Sequence, residues 1–131
     1  MQNVNRAVGH GRYRARLAAC AADVRAAQRL RHLAFVTLGG ALPRPGGLDR
    51  DRCDARCRHV LVEEAGTGTL VCCFRLLHLR SGGQIERSYC AKYYDLSRLG
   101  NFPAQMLELG RFCLHPDHHH PDIMRTAWAA I

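Results

Sequence analysis

The stretch 107–116, LELGRFCLHP, places two opposite charges inside a run of residues that otherwise favours a β-strand. The carboxylate is Glu108 and the guanidinium is Arg111. Burying a charge in an apolar strand costs free energy unless the charge pairs or meets a ligand. The stretch therefore predicts either a structural ion pair or a binding site.

Three fragments upstream repeat this placement of charges among apolar residues. They are RHLAF at 31–35, DRCD at 51–54 and FRLL at 74–77. Arg31 and Phe35 are four residues apart, so they would share one face of a helix. Arg75 lies in the middle of a predicted strand, where an unpaired guanidinium would be costly.

The spacing of Glu108 and Arg111 predicts an irregularity in the strand. Neighbouring residues of a strand point to opposite faces, so two residues three apart would ordinarily diverge. A β-bulge at or near Gly110 would bring both side chains to one face, and bulges often lie beside active sites. The stretch therefore indicates a bulged strand with a carboxylate and a guanidinium on the same side.

Together these charges could form a binding pocket. Asp51 and Asp54, with Asp49 nearby, follow the first predicted helix in a loop and would suit a cationic substrate. The arginines would contact a carboxylate or phosphate, and Glu108 would act as a base. The simpler alternative is a set of surface ion pairs or helix caps, since perturbed charges mark sites only statistically.

Composition limits the possible partners. The chain has 131 residues, enough for one domain. Its net charge is +8, and nearly all of its positive side chains are arginines because Lys92 is the only lysine. A basic surface could meet nucleic acid, an anionic membrane or an acidic protein. No recognition-helix pattern or aromatic-plus-basic platform is present, so nucleic acid is not expected. No signal peptide or membrane-spanning run is evident, so a cytoplasmic location is expected.

Cysteine and histidine usage predicts no metal site. The seven cysteines are irregularly spaced, which argues against a disulfide framework, and Cys73 and Cys113 are expected in the core. Histidines 118–120, with His115 and Asp117, favour a solvated turn over a zinc or nickel site. Three consecutive histidines cannot all face one metal on an ordinary backbone.

The hydrophobic pattern predicts a chain of strands with two helices. The strands are expected at 13–19, 58–63, 69–79 and 106–114. The first helix runs to about residue 37 with Asp23 as its cap, and the second begins at Pro121 and is still running at Ile131. A helix without a C-terminal cap predicts that the C-terminal part of the fold is missing. Within the ambiguous segment 85–94, the tyrosines could line a pocket or simply pack.

The motif order resembles that of a known family. The motifs are Arg31-x-x-x-Phe35, Asp51-x-x-Asp54, Phe74-Arg75-Leu76-Leu77 and Glu108-x-x-Arg111-Phe112. They resemble the autoinducer (acyl-homoserine lactone) synthases, which are acyl-carrier-dependent members of the GNAT acyltransferase fold. The longer stretches around these motifs are more similar to the L-ornithine Nα-acyltransferases of ornithine-lipid synthesis. They include RCRHVLVEE, LVCCFRLL and RSYCAKYYDLSRL.

The resemblance implies a fold and an activity. The fold is α+β, a three-layer GNAT-like acyltransferase with a mixed, mostly antiparallel sheet flanked by helices. Residues 1–12 would be a flexible N-terminus and residues 13–131 the N-terminal portion of one domain. The activity is transfer of a (3-hydroxy)acyl chain from acyl carrier protein to the α-amine of L-ornithine. No cofactor is implied beyond the acyl-phosphopantetheine of the carrier, which is the donor substrate.

The resemblance also implies roles for individual residues. It makes Glu108 and Arg111 catalytic residues, and makes substrate-binding residues of Arg31, Phe35, Asp51, Asp54 and Arg75. Glu108 would take the proton of the amine, directly or through water, and backbone N–H groups of the bulged strand would stabilise the oxyanion. The two aspartates would engage the cationic amino acid or order the loop over it.

One departure from the family bears on which acceptor is expected, and alternatives stay open. The segment VTLGGALPRPGG lacks the tryptophan typical of autoinducer synthases, which favours ornithine over a homoserine-lactone product. The alternatives are an acyl-homoserine-lactone synthase, another acyl-carrier-dependent N-acyltransferase, and a non-catalytic module that binds a carrier protein. The net positive charge suits docking of an acidic carrier and peripheral contact with an anionic membrane, at its inner face.

Overall fold

One antiparallel sheet organises the chain, for which the computed structural model describes residues 8–131. Its strands lie side by side in chain order: β1 (Val8–His10), β2 (Tyr13–Leu17), β3 (Arg58–Glu64), β4 (Leu70–Leu79) and β5 (Met106–Leu114). The helices are α1 (Ala21–Thr37), between β2 and β3, and α2 (Pro121–Ala129), after β5. Neither helix is long and apolar enough to cross a bilayer.

Alternating side chains of the central strands build two cores. On one face, Ile123 and Ala127 of α2 pack over a cluster that includes Val60, Val62 and Phe74. The other face carries Leu61, Cys73 and Cys113, which pack against Ala27, Leu30 and Ala34 of α1. The two helices therefore cover opposite faces, and the predicted three-layer arrangement is confirmed. The predicted burial of Cys73 and Cys113 is also confirmed.

The prediction of a flexible N-terminus over residues 1–12 is wrong for residues 8–12. Residues 8–10 form β1, which pairs with β2 through a turn at Gly11, whose φ of 57° suits glycine. The pattern of residues 8–10 does not predict this short strand, because its hydrogen-bond partners come from β2 and not from the residues themselves. Residues 1–7 lie outside the described part of the chain.

The start of α1 and the end of α2 differ from the prediction. α1 begins at Ala21 after the N-cap Cys20, and Asp23 lies in the first turn. The Asp23 carboxylate accepts from the Ala19 N–H at 2.8 Å and from Arg16, so it still stabilises the helix start. α2 ends at Ala129 rather than continuing to Ile131, since the Ala130 N–H bonds back to the carbonyls of its last turn.

The ambiguous segment between β4 and β5 is neither strand nor α-helix but a series of short 3₁₀ turns, at Gly82–Arg87, Cys90–Lys92 and Ser97–Leu99. The Gly82 N–H donates to the carbonyl of Phe102, three residues after the last of these turns, at 2.8 Å. A Cβ at Gly82 would overlap the backbone carbonyl oxygen of Leu99. Only glycine therefore permits this approach.

We expect Gly82→Ala to lower the free energy of unfolding by about 1–3 kcal/mol, because the two turns must move apart to admit the methyl group. Gly83→Ala is the matched control, since a Cβ there would meet only the Ser81 hydroxyl at 3.4 Å. Urea unfolding of both variants measures the difference. Equal losses in the two would contradict the proposed contact.

Candidate active site

The predicted bulge in β5 is confirmed, and it creates the site. Cys73 pairs with Cys113 and Arg75 pairs with Gly110, so Arg111 and Phe112 together oppose the single residue Phe74. Phe112 stacks on Phe74 with ring centroids 5.3 Å apart, in the α2 face of the sheet. Arg111, with φ 52°, instead points to the α1 side, where Glu108 also lies.

Arg31 is a buried structural charge. Its side chain is 1% exposed. Nε donates to Asp49 Oδ2 at 2.9 Å, and the terminal nitrogens donate to Asp54 at 2.7 and 3.1 Å and to the Asp49 carbonyl oxygen. The guanidinium thus ties α1 to the loop before β3. Its predicted contact with substrate stays a prediction, which this placement does not favour.

Arg75 ties β4 to the same loop. Its Nη1 lies 2.7 Å from both Asp51 Oδ1 and Asp54 Oδ1, and its Nη2 lies 3.0 Å from Asp51 Oδ2. The side chain is 3% exposed. Of the two roles predicted for Asp51 and Asp54, ordering the loop is the one these contacts favour.

The guanidiniums keep the two aspartates ionised. Burial alone would raise the pKa of Asp54, but hydrogen bonds from Arg31 and Arg75 bring that pKa below its ordinary value. For Asp51, burial likewise opposes ionisation, and the bonds from Arg75 lower the pKa. Gln28 supplies a further donor to Asp54, at 3.0 Å.

These lowered pKa values predict acid sensitivity. Both carboxylates have folded-state pKa values below the ordinary 3.8, so their contribution to stability is complete above that pH. It is lost as the pH falls below 3.8 through the folded-state values. We expect the free energy of unfolding, measured in urea, to decline steeply between about pH 4 and pH 2. Equal stability across that interval would contradict the ion pairs.

Arg111 contacts two aromatic rings. Its guanidinium carbon is 5.7 Å from the centroid of Phe35, on α1, and 5.3 Å from that of Tyr89. Its Nη2 makes two long hydrogen bonds of 3.4 Å, to Asp51 Oδ2 and to the Tyr89 hydroxyl. The predicted Arg31–Phe35 helical face is thus divided, with Arg31 buried and Phe35 facing the site.

Glu108 is held by the 3₁₀ segment that follows β4. Its Oε1 accepts from the Tyr89 N–H at 2.9 Å, and its Oε2 accepts from the Ser88 hydroxyl. A carboxylate offers about four lone-pair sites, so these two bonds leave capacity to accept a proton or a further donor. The contacts fix the orientation of the carboxylate without occupying it fully.

Two clefts meet at the Phe35–Arg111 pair. The first, of about 330 Å³, is lined by both residues together with Glu108, Arg75 and Tyr89. The second, of about 490 Å³, extends from the pair along the loop after α1 and is lined largely by apolar residues. All seven predicted site residues lie around this junction, either in the cleft walls or in the ion-pair cluster behind them.

The sequence does not predict the contact of Ser88 with Glu108. It predicts Asp49 near the site but does not predict Arg31 as its partner. Tyr89 is the tyrosine of segment 85–94 that reaches the cleft, while Tyr93 and Tyr94 are 66% and 69% exposed. Ser88 follows a 3₁₀ turn and contacts Glu108 inside β5, and no periodicity in the sequence marks such a contact between irregular backbone and a strand.

Comparison with known proteins places this geometry in a family. Residues 30–129 match the family model described as an acetyltransferase (GNAT) domain. The chain belongs to the GNAT acetyltransferase family. The GNAT fold that the resemblance implies is therefore confirmed for this chain.

The relatives agree with the resemblance seen in the sequence. The GNAT chain is 38% identical over 128 residues to the L-ornithine N(alpha)-acyltransferase of Rhodobacter capsulatus, covering 91% of the chain and 49% of that relative. It is 30% identical over 129 residues to the Brucella abortus protein of the same name, covering 90% and 46%. The chain thus spans about half the length of the curated relatives it matches. No solved structure matches it.

Proposed function

We propose that this chain carries the amine-acceptor site of an N-acyltransferase that moves an acyl group from a thioester to L-ornithine. The observation that carries the proposal is the Glu108 carboxylate, oriented by Ser88 and Tyr89 in the cleft where Arg111 also lies. Membership of the GNAT family and similarity to relatives named L-ornithine N(alpha)-acyltransferase support the same reaction class.

The proposed chemistry needs one base and no covalent enzyme intermediate. Glu108 accepts a proton from the ammonium of the acceptor, directly or through a water molecule. The neutral amine attacks the thioester carbonyl, a C–N bond forms, and the carbonyl oxygen becomes an oxyanion. The C–S bond then breaks, the thiolate leaves and takes up the proton that the attacking nitrogen loses, and the neutral amide remains.

Backbone donors for the oxyanion are available on β5. Among the described strands β5 lies at the edge of the sheet, since only β4 pairs with it. An edge strand presents N–H groups without a strand partner, and the bulge changes their direction near Arg111. We propose that one of these groups donates to the oxyanion, as in other acyl-transfer sites.

We propose an acyl carrier protein as the donor. Carrier proteins are acidic, and the net charge of +8 would accelerate their docking. Several arginines that are exposed on α1 and the following loop, such as Arg25, Arg29, Arg50 and Arg52, suit such a partner. The same charge would favour peripheral contact with the anionic inner face of the membrane, where an acylated product inserts.

The proposal is tested by measuring thiol release from acyl carrier protein and, separately, from the same acyl group on coenzyme A. L-Ornithine, L-lysine and homoserine lactone serve as acceptors. We expect ornithine-dependent release that is faster from the carrier than from coenzyme A. Release that is independent of any amine would contradict transfer. Carrier binding without release would support the non-catalytic binding module instead.

A further inference from the structure

One guanidinium of the site has unused hydrogen-bonding capacity. Arg31 and Arg75 each make several bonds of 3.1 Å or less to aspartate oxygens. Arg111 makes only two bonds of 3.4 Å to described residues, and its Nε is buried without a hydrogen-bond partner. A buried donor left unpaired costs free energy, which a ligand with matching acceptors would recover.

The surroundings hold Arg111 in place with only long contacts to carboxylates. The ring centroids of Phe35 and Tyr89 both lie within 6 Å of its guanidinium carbon, and its backbone adopts the left-handed region at the bulge. A bulky residue adopts that conformation only when the surrounding structure imposes it, and such strain clusters at ligand sites. The planar group is thus held in position while its Nε has no hydrogen-bond partner among the described residues, an arrangement that suits a carboxylate.

The neighbouring carboxylates do not take this role. The Nε of Arg111 is 3.7 Å from Asp49 Oδ2, an oxygen that already accepts from Arg31 at 2.9 Å. Asp51 Oδ2 accepts from Arg75 at 3.0 Å and lies farther from Arg111, at 3.4 Å. Both aspartates are therefore bound more closely by other arginines, and Arg111 only completes the charge balance of the cluster.

We propose that Arg111 binds the carboxylate of the acceptor, so that the site selects amines that carry a carboxylate on the same carbon. This inference rests on the proposed transfer to an amine. In such a molecule the amine is one carbon away from the carboxylate. Arg111 and Glu108 line the same cleft, so anchoring the carboxylate at Arg111 delivers the α-amine to the Glu108 side.

Binding of acceptors without any donor tests this inference separately from turnover. The full chain is titrated calorimetrically with L-ornithine, with L-ornithinamide, which lacks the carboxylate charge, and with 1,4-diaminobutane, which lacks the carboxylate altogether. We expect both analogues to bind about tenfold or more weakly than L-ornithine, the loss that one charged hydrogen-bonded contact predicts.

Variants then assign the discrimination to one residue. Arg111→Gln should bring the affinities for L-ornithine and L-ornithinamide close to each other, and Arg111→Lys should retain part of the difference. Arg98→Gln, an exposed control in a 3₁₀ turn, should keep the full ratio. If Arg111→Gln does not fold, the comparison of ligands on the unaltered chain still decides.

Three results would overturn the inference: equal affinities of the unaltered chain for L-ornithine and its amide, a ratio that persists in Arg111→Gln, or no binding of any of the three. Amide formation from L-ornithine together with equal affinities would overturn this inference alone and leave the proposed transfer intact. Selective binding without amide formation would contradict the proposed transfer and leave this inference intact.

Discussion

Replacing Arg31 with methionine is expected to destabilise the fold by about 3–5 kcal/mol, the cost of breaking a buried ion pair by removing one partner. Methionine replaces the aliphatic part of the side chain but has no donors, so buried Asp49 would lose its closest cation and buried Asp54 would keep only Arg75. This is a large part of the 5–15 kcal/mol that stabilises a typical domain. The free energy of unfolding in urea measures the loss.

The control is Arg29→Met, in the same helix two residues away but exposed, where a change within about 0.5 kcal/mol is expected. If the Arg31 variant does not fold, the combination with Asp49→Asn and Asp54→Asn should recover part of the stability, because it removes the uncompensated charges. A loss of less than about 1 kcal/mol in Arg31→Met would show that the cluster is not a structural element.

Replacing Glu108 with glutamine is expected to lower the rate of amide formation by about 10²–10⁴-fold, the usual contribution of a general base. Glutamine keeps the shape of the side chain and can still accept from the Tyr89 N–H, so folding should be little affected. The rate of the variant should rise with pH more steeply than that of the unaltered chain, since a larger fraction of the amine is then already deprotonated.

Glu86→Gln is the matched control, because Glu86 is exposed on the same segment that holds Glu108 in place. It should leave both the rate and its pH dependence unchanged. A Glu108→Gln variant that is folded and retains the rate of the unaltered chain would remove Glu108 from the mechanism. In that case its bonds to Ser88 and Tyr89 would serve only to position the 3₁₀ segment.

Local patterns predicted the parts of the site that depend on local geometry. The spacing around Gly110 predicted a bulge because strand alternation allows no other way to bring Glu108 and Arg111 to one face. The strands β3, β4 and β5 follow their hydrophobic runs within one residue, and Met106–Leu114 agrees at both ends. These elements are specified by the residues within them.

Features that depend on contacts between distant segments were not predictable in this way. The sequence alone leaves open whether each charge is a structural pair or part of a binding site, and the structure distinguishes the charges by how closely they are paired. Arg31 and Arg75 each make short hydrogen bonds to aspartates of a loop about 20 residues away in the sequence. Arg111 makes only longer ones. The contact between Ser88 and Glu108 joins an irregular turn to a strand, so no periodic pattern in the sequence predicts it.

The position of the acyl group in the product of the unaltered chain is the most decisive test of the roles proposed for Arg111 and Glu108. Acyl carrier protein and L-ornithine are incubated with it for a single turnover, and tandem mass spectrometry assigns the acylated nitrogen. Anchoring of the carboxylate at Arg111, with Glu108 as the base, predicts acylation of the α-nitrogen. Acylation of the side-chain nitrogen, or no acylated ornithine from a folded chain, would contradict it.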